Sequence, residues 1–582
     1  MSARQRIVRE RRQYNKWVAS QTLEDYALRF TAARGRRWTA SRIAQAAIGA
    51  SSFLACEALG AAITLSYGFA NAAAAIAAAM VLMFVIGLPI TYSAAKHGLD
   101  IDLLSRGAGF GYLGSTFTSL IYASFTFLLF AIEASIMSEA LSMVLGLPIA
   151  LAHVISALVV IPIAIYGMSR ISRFQVITQP VWLLLQGALL VFVLLEIPEQ
   201  LPVWQKRAAA LGVPSGAVDL LPFGLALSTL LSLLPQIGEQ ADYLRFLPSA
   251  RAIGQRRWWT AMLLGGPGWV LFGGIKLLLG AVLALFAIAH GMSALEAVSP
   301  GEMFHLAFTN MTGSSGIGLA LTGILVVVCQ MKINVTNAYA GSIAWSNFFS
   351  RLTHNHPGRV VWLVFNVLLA LLLMEIGIFA VIEGILVVFA NLAAGWIGAL
   401  AADLTISKPL GLSPRHIEFR RAHLYDINPV GVGALALSVV VSTLSLVGAF
   451  GALAQAFAPL LGLTIAFVAA PAIAVATHSR FYLARPETGL PEGKADIRCA
   501  ICENRFERAD MAYCPAYGEP ICSLCCTLEA RCHDLCKSRS TFAEQVTGLL
   551  QKLLPERLAR LVHTTTGHFV GLVLLFNLAI GC

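Results

Sequence analysis

Long apolar runs recur along the chain, each near the ~20 residues an α-helix needs to cross the hydrocarbon of a bilayer, with short polar stretches between them. The two-residue alternation of a membrane strand is missing. In lipid only helices and closed barrels satisfy their own backbone groups, so the pattern predicts helices. It places twelve transmembrane helices at 44–67, 72–95, 113–141, 148–168, 175–197, 218–241, 259–289, 317–345, 360–375, 377–402, 431–451 and 455–477.

The basic residues decide orientation. Arg4, Arg6, Arg9, Arg11, Arg12, Lys16, Arg29, Arg34, Arg36, Arg37 and Arg42 precede the first span, and no cleavable apolar leader lies among them. Every second loop afterwards is basic too, through Lys96 and Arg106, Arg170 and Arg173, Arg245 to Arg257, Arg351 and Arg359, and Lys408 to Arg421. The opposite loops hold only Lys206 and Arg207. Positive loops stay in the cytoplasm, so the N-terminus is expected there, in a protein integral to the inner membrane. Composition agrees: of 582 residues 57% are hydrophobic and 12% charged, which excludes a soluble enzyme. The formal net charge of +10 is then a topology signal and implies no nucleic-acid partner.

After the last span the chain changes character. Cys499, Cys502, Cys514, Cys522, Cys525, Cys526, Cys532 and Cys536 crowd one polar stretch with His533 beside them, and in reducing cytoplasm they are expected as thiols or thiolates. Two CxxC pairs present sulfur ligands from tight turns, as zinc requires. Cys499, Cys502, Cys522 and Cys525 are favoured as one site, and eight cysteines suffice for two, but spacing leaves the pairing open. Residues 540–562 read as an amphipathic helix at the membrane, interrupted at Pro555. The apolar stretch 569–580 is too short to span and is expected to be a half-embedded tail or the start of a thirteenth helix. The organisation expected is a basic segment 1–42, a twelve-helix domain 43–478, a Cys-rich module 479–539, and a helix with apolar tail 540–582.

Polar groups inside apolar spans are costly unless they face a partner or a ligand. In the first span Glu57 follows Ser51 and Ser52 and precedes Gly60, a composition that permits unwinding. The third span carries Glu133. In the sixth, Pro235, Gln236, Gly238, Glu239 and Gln240 interrupt the helix. The eighth crowds Gln330, Lys332, Asn334, Thr336 and Asn337 into two turns, which need water, a ligand or one another. Glu139 and Glu375 are read as solvated span ends, Glu383 and His153 as possible interhelical contacts, and Lys276 as snorkelling or paired with a carboxylate. Spans one and six are interrupted and lie five apart, as do the polar spans three and eight. An inverted five-helix repeat places one site between discontinuous helices in this way.

Four segments carry a resemblance. Ala241-Asp242-Tyr243-Leu244-Arg245-Phe246 resembles the ADYSRF signature of the nucleobase:cation symporter family of purine/cytosine permeases, with Leu244 for its Ser. Ala95-Lys96-His97-Gly98 leading to Phe110-Gly111-Tyr112-Leu113-Gly114, Tyr425-Asp426-Ile427-Asn428-Pro429-Val430-Gly431, and Ile333-Asn334-Val335-Thr336-Asn337-Ala338-Tyr339 are similar to further elements of that family, in the same order. The resemblance covers about residues 20–480. It implies a LeuT-type fold of five plus five inverted helices with two more, carrying a planar nucleobase, hydantoin or related heterocycle with sodium or protons. On it, Glu57, Glu133, Gln236, Glu239, Asn334 and Asn337 are the expected substrate contacts, Asn337 falling on a family substrate position. The family's aromatic Trp positions on spans three and six are not evident. Its ion-binding hydroxyls on span eight are replaced by Lys332 and Ile333, so an ammonium is expected to stand in for the ion, with coupling through Lys332 or Glu57. Secondary transport without covalent chemistry is the first expectation. The second is a membrane sensor that keeps the fold and signals to an output domain or partner, as transporter-like input halves of sensor kinases do.

Overall fold

The computed structural model describes residues 10–19, 30–377, 382–491, 493, 495–537 and 539–553. The Glu383 side chain and the apolar stretch 569–580 lie outside what is described. The chain is a polytopic bundle. Among the described residues nine helices are long and apolar enough to cross a bilayer, and ten if the bent pair Ala40–Ser52 and Ala55–Tyr67 forms one span. Twelve is reached only by adding two shorter elements at the expected fourth and ninth positions. One is Ile149–Ala164 and the other Arg359–Glu375, of 17 residues. At 1.5 Å per residue the latter is about 25 Å long, short of a ~30 Å hydrocarbon core.

Both expected interruptions are present, and the carboxylates Glu57 and Glu239 lie just after them. The first span runs as Ala40–Gly49, a 3-10 turn Ala50–Ser52, and Ala55–Tyr67, with a 42° bend. Glu57 therefore sits in the first turn of the second half-helix and not in the break itself. The sixth runs as Leu220–Leu230, a 3-10 turn Leu231–Leu233, and Gln236–Leu244 behind Pro235. Proline lacks an N–H and suits a helix start, so the chain resumes its helix there and the polar stretch is helical.

The seventh span is also broken, into Gln255–Gly265 and Trp269–Ala289 around Gly266-Pro267-Gly268, and a further helix, Pro300–Thr312, precedes the eighth. Spans five and eight are longer than expected, Gly167–Ala210 and Ser315–Thr353. Spans one and seven meet backbone to backbone: a Cβ on Gly60 would run into the Leu277 carbonyl, and one on Gly280 into the backbone of Glu57. Small residues give membrane helices this close approach.

The Cys-rich module is two antiparallel hairpins, Asp496–Arg498 with Arg505–Glu507 and Met511–Cys514 with Glu519–Cys522, followed by the helix Ser523–Leu528. Its small core of Ile497, Ile501, Met511, Ile521 and Leu524 also takes in Val18 and Leu490. The module is docked on the bundle face that carries the N-terminal segment. Arg12 Nη2 donates to the Leu528 carbonyl at 3.1 Å, and Arg421 Nη1 to the carbonyls of Cys526 and Glu529 at 3.0 and 2.8 Å. Helix Phe542–Leu553 follows, its Phe542 N–H donating to Asp426 at 2.8 Å.

Candidate functional site

A helix start leaves N–H groups without partners and a partial positive charge. In the broken first span the exposed pair is the N–H of Leu54 and of Ala55, and the Glu133 carboxylate of span three accepts both at 3.2 Å. Gln330 Nε2 of span eight donates to the same carboxylate at 2.6 Å. Glu57 is equally committed: Lys276 Nζ lies 2.7 Å from its Oε1 and Gln186 Nε2 donates at 2.7 Å. Lys276 also donates to the Ser52 carbonyl at 3.1 Å, so it neither snorkels nor reaches water. Of the two readings of Lys276, pairing with a carboxylate is what the structure contains.

Among the described residues Lys332 meets no carboxylate. Its ammonium donates to the Gln175 carbonyl at 3.0 Å, to Thr178 Oγ1 at 3.2 Å and to Gln179 Oε1 at 3.0 Å, all on span five. It also lies close to the end of the first half of span one, 3.1 Å from where a Cβ on Gly49 would stand. A hard cation held between a helix break and spans five and eight would meet this same set of oxygens.

The remaining expected residues are fully buried and incompletely paired. Gln236 donates to Glu239, and Asn337 Nδ2 makes a long 3.5 Å contact with Asn334 Oδ1. Gln236 Oε1, Glu239 Oε1, Gln330 Oε1, Asn334 Nδ2 and Asn337 Oδ1 are left without a partner. An unpaired buried polar atom costs about 1–3 kcal/mol, so this concentration on spans six and eight is a local energetic cost that complementary donors and acceptors would relieve. Of the six expected substrate residues, Gln236, Glu239, Asn334 and Asn337 keep unpaired atoms there, Glu57 is held through Oε1 with its Oε2 unpaired, and Glu133 has both oxygens paired internally. Glu139 is exposed as expected, and Glu375 meets His153 at 3.4 Å.

A second buried network, which the hydropathy pattern does not announce, lies on the N-terminal face. Arg245 Nη1 reaches Asp100 at 3.3 Å and Arg245 Nη2 donates to Tyr339 Oη at 2.9 Å. Tyr122 Oη donates to Asp242 at 2.8 Å, Asn347 Nδ2 to Asp102 at 3.2 Å, and Arg351 lies 3.9 Å from Asp102. Arg106 Nη2 donates to Asn347 Oδ1 at 2.9 Å. Three acids and three arginines thus tie the loop after span two to spans three, six and eight. Burial pushes the Asp102 carboxyl up to about 6 against the pull of Arg351. Loop charges normally read as solvated, and nothing in the pattern announces that these are buried.

In the module, one sulfur each from Cys499, Cys502, Cys522 and Cys525 lies within 4.8 Å of the others, all four buried. Backbone N–H groups point at them, from Cys522 to Cys499 Sγ at 3.3 Å and from Cys525 to Cys522 Sγ at 3.4 Å. Tyr14 Oη meets Cys525 Sγ at 2.9 Å. Hydrogen bonds from Cys502, Cys522 and Cys525 hold the Cys499 thiol far below its ordinary range. This is the set favoured from spacing.

No protein-family model matches the sequence, and no curated protein matches it. Solved structures do. Mhp1, a nucleobase-cation-symport-1 family transporter in a closed conformation with bromovinylhydantoin bound, aligns at TM-score 0.57 and 16% identity over 78% of this chain and 98% of its own. The inward-facing conformation of Mhp1 aligns at 0.53 and 17%, covering 81% and 96%. A Na+-coupled sialic acid symporter in a substrate-bound outward-open state aligns at 0.54 and 12%, covering 79% and 94%. At these identities the likeness is one of fold, and the chain has the LeuT-type fold that its four sequence segments implied.

Proposed function

We propose that this chain is a secondary transporter for a planar nitrogen heterocycle of the nucleobase or hydantoin class. The observation that carries the reading is the unpaired Asn334 Nδ2 and Asn337 Oδ1, buried together beside Glu239. Adjacent donor and acceptor amides match the alternating edge of a neutral base. The shared fold with a hydantoin-bound transporter supports the same class of ligand. The half-helices of spans one and six would reorient around the site, while the acid–arginine network closes the N-terminal face.

Coupling we assign to Lys332 and Glu57. The Lys332 ammonium makes the oxygen contacts a sodium ion would otherwise take, which favours protons over sodium as the driving ion. The tetrathiolate set Cys499, Cys502, Cys522 and Cys525 suits zinc, which prefers four such ligands in a tetrahedron, and its role would be to fold the module. A second reading, a sensor that reports occupancy to a signalling partner, is favoured by one observation: the module grips the bundle through Arg421 close to the buried network.

Uptake of labelled cytosine, uracil, xanthine, allantoin and hydantoin into cells expressing the chain, with and without sodium and beside Asn337→Ala, tests both. Saturable uptake of one compound without sodium, lost in the variant, is the expected result. Steep sodium dependence overturns the role of Lys332, binding without uptake favours the sensor, and neither binding nor uptake sinks the site.

A further inference from the structure

The buried four-cysteine cluster is not enclosed by its own module alone. We infer that metal in the cluster clamps the N-terminal segment to the module, with Tyr14 as the contact that reads occupancy. The inference rests on the reading of Cys499, Cys502, Cys522 and Cys525 as a metal site, and gives that site a task beyond folding the hairpins.

Four thiolates around one divalent ion leave an excess of negative charge, which hydrogen-bond donors outside the ligands stabilise while fixing the ligands in place. The module supplies two such donors from its backbone, the Cys522 N–H to Cys499 sulfur and the Cys525 N–H to Cys522 sulfur. The donor to Cys525 comes from 511 positions away: Tyr14 Oη lies 2.9 Å from its sulfur, with the half-buried ring packed against the module core. A thiol that binds zinc loses its proton to solvent, so the sulfur can then only accept and the phenol O–H must donate. Hydrogen bonds to a charged acceptor are roughly twice as strong as neutral ones. The Tyr14 contact therefore tightens when the metal enters. By linkage, a segment held better by the loaded module raises the metal affinity by the same factor.

The neighbours of Tyr14 turn this contact into a strap. The Arg12 N–H donates at 3.1 Å to the carbonyl of Ile501, in the turn between the ligands Cys499 and Cys502. Arg12 Nη2 reaches the Leu528 carbonyl at 3.1 Å and lies 3.7 Å from the Glu529 carboxylate, and Arg11 meets Glu503 at 3.5 Å. Val18 is buried in the module core. Between these, Asn15 Nδ2 donates at 2.8 Å to the Pro357 carbonyl, in the loop joining spans eight and nine. Further along, the Ala33 N–H donates to Glu507 and Arg34 Nη2 to the Arg505 carbonyl, both at 2.9 Å, just before the half-helix Ala40–Gly49 begins. The turn that carries two ligands thus also carries the strap, and the strap leads into the first half of span one.

The experiment uses the full chain purified in detergent with zinc and desalted, before and after stripping with a chelator, beside Tyr14→Phe, which keeps the ring and loses only the hydroxyl. Trypsin cleavage after Arg12, read from the mass of the N-terminal fragment, is expected to be slow in the loaded wild type and about tenfold faster after stripping. In loaded Tyr14→Phe it should rise severalfold with about one zinc still bound. Outer partners of this kind change metal affinity about 10–100-fold, so the variant should yield zinc to a competing chelator about tenfold more readily. With cobalt in place of zinc, the thiolate-to-cobalt absorption should move to longer wavelength in Tyr14→Phe, because a sulfur without its donor is more easily oxidised. A role in packing alone leaves that band where it is. About one zinc in wild type, with cleavage and band unchanged in Tyr14→Phe, overturns the clamp and spares the metal site, whatever stripping does to the module. Wild type without zinc overturns both.

Discussion

Asn337 places an acceptor with nothing to accept from inside a closed bundle, and Asn334 a donor with nothing to donate to. On the proposed function, truncating Asn337 to Ala removes ligand hydrogen bonds and few internal ones, so binding should weaken about ten- to a hundredfold, ~1–3 kcal/mol, while thermal stability changes little. Calorimetric binding beside a melting curve checks both halves. Glu57→Gln should behave in the opposite way. It strands the Lys276 ammonium in the interior, a loss of about 3–5 kcal/mol, visible as a sharp fall in melting temperature in detergent. The polar residues of spans one, three, six and eight were legible in the sequence because charges and amides stand out against apolar runs. Their partners were not. Lys276 is 219 positions from Glu57, and no periodicity connects them.

A half-helix is only as stable as its first turn. Glu133 supplies acceptors for the N–H groups of Leu54, the cap residue, and of Ala55, the first of Ala55–Tyr67, together with a negative charge at the positive end of the dipole. Glu133→Ala should therefore cost about 2 kcal/mol or more, and Glu133→Gln less, because the amide keeps an acceptor oxygen. Hydrogen exchange at Leu54 and Ala55 separates them. That spans one and six are discontinuous followed from Ser51, Ser52, Gly60, Pro235 and Gly238; Ser51, Ser52 and Pro235 sit at the breaks, while Gly60 and Gly238 fall in the helices that resume, because a proline or a carboxylate cap starts a helix rather than ending one. The Gly266-Pro267-Gly268 break in span seven carried an equally clear signal that the hydrophobic run concealed. Spans four and nine look like their neighbours by hydropathy, and only their lengths set them apart.

The whole molecule joins a helical bundle to a folded Cys-rich module, and the joint is ionic. Burial alone would raise the Glu418 carboxyl, but hydrogen bonds from Arg420 and His423 outweigh it and hold the group well below the usual carboxylate range. A group depressed in the folded state contributes stability above its unfolded value, near 4.3, and loses it as pH falls through the folded value. Docking should thus be intact at pH 7 and at pH 5, which limited proteolysis between the bundle and residue 499 reads directly. Arg420 also donates to the Met511 carbonyl at 2.7 Å, so Glu418→Gln, which leaves that guanidinium poorly paired, should expose the module to protease at both pH values. The fold class and the favoured four-cysteine set were readable from hydropathy and spacing. How the module sits on the bundle was not, since the contacts run between backbone carbonyls and arginines that any solvated loop contains.

One ring shows what that joint entails. Arg106 from the buried network, Arg421 from the docking loop and Lys537 from the module all lie over Tyr112, at 5.4, 5.6 and 5.8 Å. Each cation on an aromatic face is worth about 0.5–2 kcal/mol. A movement that parts spans three and eight on this face must either slide Arg106 off the ring or carry the module along with it. The mechanical work of opening is therefore shared between two bodies that no single helix connects, and the rate of opening becomes a property of how firmly the module is seated.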